Sequence, residues 1–140
     1  MKIEATAVPL VERLAFLPKL FGPNVMMYAE SMLYNCAKRL APDEYRNGSW
    51  EFYELSNGGG YAAPMEPQQF NLMIGSNGFE GGMSNDAAGI VFTLFVINSL
   101  CFRYAETDPK TAEKFVDHYH QLLDFAKQHK EARSIFRAID

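Results

Sequence analysis

The sequence predicts an α+β fold in which a small antiparallel sheet of three or more strands packs with about four helices in a single compact domain. Three observations carry this expectation. Apolar residues recur three or four positions apart on both sides of the chain's middle, short strand-like runs punctuated by glycine lie between them, and 140 residues is close to the commonest size for one hydrophobic core. Residues 1–140 are therefore expected to form one domain. Hydrophobic residues make up 48% of the chain, enough to fold without disulfides or a metal.

From the N-terminus, Pro9, Pro18 and Pro23 predict extended or short-turn structure as far as Gly22, with Leu14, Phe16, Leu17, Leu20 and Phe21 covering the core. Asn24 reads as the cap of a first helix whose stripe is Val25, Ala29, Met32, Cys36 and Leu40, ending before Pro42. Trp50–Leu55 and Tyr61–Ala63 flank Ser56-Asn57-Gly58-Gly59-Gly60 and predict a β-hairpin. A third strand is expected at Phe70–Ile74, and a fourth could lie in the N-terminal segment. Gly75–Ser84 reads as a glycine-rich loop, after which Ser84 or Asn85 caps a helix. Ala87–Phe102 contains no charged residue. Its 16 residues fall short of the roughly 20 that span a bilayer, so a core helix is expected. Asp108-Pro109 opens a further helix with Phe115, Tyr119, Leu122 and Ala126 facing inward, and Ile135, Phe136 and Ile139 mark a short last one.

Charge narrows the function. The net charge of -4 is mild, but it is unevenly placed: no Lys or Arg occurs from Asn47 to Phe102, where Glu51, Glu54, Glu66, Glu80 and Asp86 lie. Direct nucleic-acid binding needs cations set against phosphates, so the aromatics Trp50, Phe52, Tyr53 and Tyr61 are expected to pack or meet protein. Imitation of DNA fails as well. Duplex DNA carries one charge per about 1.7 Å, so a domain roughly 35 Å across would need on the order of twenty carboxylates on one face. The whole chain has 17, against 13 Lys and Arg. Glu4 and Glu12 interrupt the N-terminal apolar stretch that a secretory signal would need. The isolated Cys36 and Cys101 suit buried thiols in a reducing compartment. A cytoplasmic protein without membrane association is expected.

No catalytic array stands out. Gly75, Gly78, Gly81 and Gly82 follow GxxGxxGG spacing, not GxGxxG, and no Lys-Ser or Lys-Thr follows as a phosphate loop requires. Glu80 and Asp86 would repel a phosphate there. His118 and His120 point about 200° apart on a helix and cannot share a metal, and Glu51 and Glu54 fall on opposite faces of a strand. A small ligand- or nucleotide-binding domain, or an enzyme, using Gly75–Ser84 with Asn77, Ser84 and Asp86 holding a polar substrate is the alternative. Otherwise Trp50–Phe95 is suited to binding a partner.

WEFYELSNGGGYAAP at Trp50–Pro64, SNGFEGGMSNDAAGIVFTLF at Ser76–Phe95 and FLPKLFG at Phe16–Gly22 resemble the ArdB/KlcA antirestriction family. Ala62 stands where that family often has Met, an apolar exchange. The resemblance implies inhibition of host type I DNA restriction-modification systems, protecting incoming plasmid or phage DNA. It implies action by protein interaction, on the restriction enzyme or an associated host factor, with no cofactor, no metal and no catalytic residue, by a monomer or weak dimer. Trp50, Phe52, Gly58, Gly59, Pro64, Gly78 and Gly89 are expected to specify the fold. The exposed motif residues, Glu51, Glu54, Asn57, Tyr61, Asn77, Phe79, Glu80 and Asp86, are expected to border the interaction surface, with Phe79 foremost because an apolar ring in a turn is costly to expose.

Overall fold

Uniform apolarity decides which helix becomes the centre of the molecule. The computed structural model describes residues 2–140, and in it Asn85–Tyr104 forms a helix with Ala87–Leu94, Val96, Ile97 and Leu100 all buried. By length and composition this helix could cross a membrane, yet 61% of its most apolar window is buried inside the domain, as the core reading requires. Everything else is arranged around it. In chain order the elements are β1 (Ala5–Ala7), a 3-10 turn at Leu10–Glu12, α1 (Arg13–Phe21), α2 (Met26–Leu40), β2 (Trp50–Leu55), β3 (Gly60–Pro64), β4 (Gln69–Ile74), β5 (Phe79–Ser84), α3 (Asn85–Tyr104), α4 (Pro109–Lys127) and α5 (Ala132–Ile139).

The strands make two antiparallel sheets, β1-β2-β3 and β4-β5. The hairpin forms as expected, with Trp50 opposite Pro64 and Glu54 opposite Gly60. The additional N-terminal strand is present too, Thr6 facing Glu54. The expected third strand instead belongs to the second sheet, and most of the expected glycine loop is its partner strand. Only residues 75–78 turn the chain: Gly78 takes φ +74° and the Asn77 side chain accepts the Phe79 N–H at 2.9 Å, which reverses the backbone within one tight turn. Gly81 and Gly82 then pair with Leu72 and Asn71 as extended strand, a conformation in which successive N–H groups point to opposite edges and do not converge into an anion cradle.

The largest correction lies at the N-terminus, where Arg13–Phe21 is helical despite Pro18 inside it. Proline removes one helical N–H, whose partner would be the carbonyl of Leu14. Leu14 is 92% exposed, so water can replace the lost bond. The same helical turn explains why Leu14 does not cover the core: it lies about 200° around the axis from Phe16, and Phe16, Leu20 and Phe21 are the buried residues. Asn24 is likewise not the cap of α2, which follows Val25. Its stripe is as expected, with Ala29, Cys36 and Leu40 buried and the chain leaving the helix before Pro42.

α3 approaches β3 so closely that a side chain is excluded between them. A Cβ on Gly89 would lie 2.3 Å from the Ala63 Cβ and 2.6 Å from the Ala62 carbonyl oxygen. One turn later, Thr93 completes the edge of β3. Its hydroxyl lies 3.2 Å from both the N–H and the carbonyl oxygen of Ala62 and 2.8 Å from the Gly89 carbonyl. A sheet edge facing a helix would otherwise bury unpaired backbone groups. Gly89→Ala is expected to cost about 3 kcal/mol, the upper end for overpacking against backbone, measured as a loss of unfolding free energy in a urea titration.

Candidate functional site

The sequence-expected surface residues converge on side chains that tie separate elements together. Tyr61 leaves β3 toward the start of α3 and is only 1% exposed, so the expectation that it faces solvent is overturned. Its ring lies between Tyr53 at 4.8 Å and Phe125 at 5.8 Å between centroids. Its hydroxyl donates to Asp86 Oδ1 at 2.7 Å. Asp86 stands in the first turn of α3, where a carboxylate complements the helix dipole. Its second oxygen lies 2.8 Å from Nε2 of His129, which is carried just beyond α4. The Glu131 N–H donates to His129 Nδ1 at 2.9 Å, so that nitrogen bears no proton and Nε2 is the donor to Asp86.

A second link runs beside the first. Ser84 caps α3, its hydroxyl accepting the Ala87 N–H at 3.1 Å, and it donates that hydroxyl to Glu131. Glu131 also accepts the Ser84 N–H at 2.9 Å. The α4–α5 junction is thereby fastened to the start of α3 by two carboxylates, a histidine, a tyrosine and a serine.

Burial acts to raise the Asp86 carboxyl, but hydrogen bonds from His129 and Tyr61, with the nearby charge of Lys130, outweigh it and hold the group below its usual value. Tyr61 is pushed far above the ordinary phenol range, first by burial and then by Asp86. The phenol therefore stays protonated and the carboxylate ionised near neutrality. Both Asp86 oxygens, both His129 nitrogens and the Ser84 hydroxyl already have partners within the protein. Such an array fixes geometry; no nitrogen or hydroxyl in it is left to take a proton from a bound molecule.

The other expected residues serve similar roles. Glu51 lies 3.0 Å from Arg13, whose guanidinium also sits over the Phe52 ring. Glu54 is exposed and lies 3.5 Å from Lys19. Asn57 is half-buried and donates to the Gln121 carbonyl at 2.9 Å, while Gln121 Nε2 donates to the Asn57 carbonyl at 3.1 Å. That orientation leaves Gln121 Oε1 to accept from His118 Nδ1 at 2.9 Å. Burial lowers the His118 pKa. Asn77 is exposed, and its amide donates to the carbonyls of Ala138 at 2.8 Å and Asp140 at 2.9 Å. Phe79 is half-buried, its ring lying over Gly81, so the apolar exposure expected of it is relieved within the chain. Glu80 is exposed, and the Asp86 side chain is 37% exposed.

His129, Gln121 and Glu131 are the partners that sequence reasoning missed. Asp86 and His129 are 43 positions apart, Asn57 and Gln121 are 64 apart, and no spacing rule links them. The alternative of a ligand site in the glycine-rich segment is not supported, because Phe79–Ser84 is strand and the α3 N-terminus is occupied by Ser84 and Asp86. Among the described residues no cluster of three or more His, Cys, Asp or Glu side chains has metal-holding geometry.

Two variants test this latch. Asp86 binds protons more weakly in the folded protein than in the unfolded chain, so its contribution is present above the ordinary value of 3.8 and is lost as pH falls through the lower folded value. The thermal midpoint should drop as pH falls from about 5 through that lower folded value, with a shallower drop in Asp86→Asn. Tyr61→Phe, which removes the donor while keeping the ring, is expected to cost about 1 kcal/mol in chemical unfolding.

Comparison with known proteins places the sequence and the fold together. A family described as "Antirestriction protein" matches residues 43–140, which contain the hairpin, both latch segments and α3–α5. The chain is 45% identical to an antirestriction protein KlcA of Escherichia coli over 99% of its own length and 94% of that protein. It is 43% identical to a second Escherichia coli KlcA, over 99% and 95%. A solved structure, described as that of the KlcA and ArdB proteins with a novel fold and antirestriction activity against type I DNA restriction systems in vivo but not in vitro, superposes with a TM-score of 0.90. It is 42% identical and covers 100% of this chain and 96% of that one. Matched by the family over residues 43–140 and 43–45% identical to relatives over nearly their full length, the chain belongs to the antirestriction protein family.

Proposed function

We propose that the chain relieves type I DNA restriction in the bacterial cytoplasm, protecting incoming plasmid or phage DNA, by contact with the restriction-modification enzyme or a host factor associated with it. The observation that carries this reading is the near-complete match in sequence and fold to KlcA and ArdB, described as active against type I systems in vivo but not in vitro. Activity that is seen only in cells is what a requirement for a further cellular component would produce.

Charge supports protein contact over imitation of DNA. Of the carboxylates between residues 47 and 102, Glu51 and Glu54 are set against Arg13 and Lys19, and Asp86 is held by His129 and Tyr61. No array of free negative charge remains on the hairpin sheet. A non-enzymatic role is supported by the internal commitment of every polar group in the Tyr61–Asp86–His129 and Ser84–Glu131 links. Glu54, Asn77, Glu80 and the open side of Asp86 are the sequence-expected contact residues that solvent can reach. The protein acts as a monomer or weak dimer, and its two cysteines are unpaired, in keeping with a reducing compartment.

Expression in cells carrying a type I system should raise the plating efficiency of unmodified phage by at least about tenfold. Modified phage and a host lacking the system should plate unchanged. Full restriction despite soluble expression would refute the proposal.

A further inference from the structure

The cations missing from the middle of the chain reappear, uncompensated, on its last helix. Lys127, Lys130, Arg133 and Arg137 lie in an interval whose one carboxylate is Glu131. Glu131 is already engaged by Ser84, and Lys127 is set against Asp124. Arg133 and Arg137 are one helical turn apart on α5 and both exposed. Among the described residues neither has an ion pair, whereas Arg13 pairs with Glu51 and donates to the Trp50 carbonyl.

These two arginines border a groove of about 540 Å³ between α4 and α5, floored by Tyr119, Leu123, Phe136 and Ile139. Tyr119 and Leu123 are one turn apart on α4, and Phe136 and Ile139 are one turn apart on α5, so each helix offers a short apolar stripe to the same trough. All four are only partly buried. Asp140 is the lone carboxylate on the lining. The groove is anchored at both ends of α5. His129 and Glu131 fasten the α4–α5 junction to α3, and Asn77 holds the carbonyls of Ala138 and Asp140. A surface so braced is preorganised, which lowers the ordering cost of binding.

Resting on the reading that this protein acts by protein contact, we propose that the α4–α5 groove is the docking site for an acidic amphipathic segment of a protein partner. Apolar side chains of that segment enter between Tyr119, Leu123, Phe136 and Ile139, and its carboxylates meet Arg133 and Arg137 in bidentate pairs. Charge complementarity selects this occupant. Two free guanidiniums beside an apolar floor match carboxylates next to aliphatic or aromatic anchors, and arginine and aromatic residues are the side chains that most often carry interface energy. A duplex would leave the floor unused and would meet too few cations to hold it.

The test compares phage plating on a type I host for the full chain, Arg133→Glu/Arg137→Glu, Arg133→Lys/Arg137→Lys and a control reversal of equal charge, Lys38→Glu/Lys110→Glu. Thermal midpoints and soluble expression are matched for all four. The groove reversal should reduce protection at least about tenfold, the lysine pair should retain most of it, and the control should protect as the unaltered chain does. Equal protection by the groove reversal, or an equal loss in the control, overturns the proposal. Sedimentation velocity and anisotropy with a fluorescent DNA duplex complete it. A dimer, or duplex binding, that the groove reversal abolishes would assign the groove to a second copy or to phosphate and overturn the protein-segment reading, whereas neither occurring supports it. Failure of the unaltered chain to protect at all would instead sink the parent reading, and the groove's role with it.

Discussion

The closeness of α3 to β3 is the constraint from which the rest of the structure follows. With no side chain at Gly89, the helix backbone rests on Ala62 and Ala63, and Thr93 can then reach the open edge of the hairpin sheet. That contact allows a nearly uncharged helix to be covered on almost all sides by one small domain. α3 touches β3, β4, β5, α2, α4 and α5, so elements far apart in the chain are positioned by a single hydrophobic axis. The hydrophobic effect supplies the drive, but the absence of one Cβ and the presence of one hydroxyl determine how the sheet and helix meet.

Around that axis the polar residues act as fasteners. The Asp86 latch joins β3, the start of α3 and the segment after α4, and the Asn57–Gln121 pair joins the hairpin turn to α4. Asn77 joins the β4–β5 turn to the end of α5. Buried or half-buried polar groups are tolerable only when satisfied, and here satisfying them also fixes the relative placement of the elements. Motif residues that look like a binding array in sequence are in large part the joints of the fold.

Elements governed by local periodicity were legible from the sequence: the stripe of α2, the hairpin at Asn57–Gly60, the Ser84 and Asp108 caps and the core character of α3. Leu14 and Pro18 misled because a proline-containing helix survives where the lost backbone partner faces water, and Gly81 and Gly82 misled because strand glycines, Gly81 beneath the Phe79 ring and Gly82 beside Asn71, look like loop glycines in one dimension. The candidate site was the least legible part. Glu51, Asn57, Tyr61 and Asp86 were found as motif residues, but their partners Arg13, Gln121 and His129 come from distant segments and become visible only when α1 and α4 are packed in place. The free arginines of α5 were masked by the neutral balance of the C-terminal third, where 7 cations and 7 carboxylates cancel in number but not in position.

Because its carboxylates are paired or dispersed, this protein should leave the DNA-binding surface of its target free. The most direct measurement is an equilibrium competition in which a purified type I enzyme holds a fluorescent unmodified duplex and this protein is titrated against it, alone and with an extract of the host cell. The account predicts that the duplex stays bound across the titration under both conditions, even where the extract restores inhibition of cleavage. Displacement of the duplex in proportion to added protein would contradict it and show that the protein occupies the place of DNA.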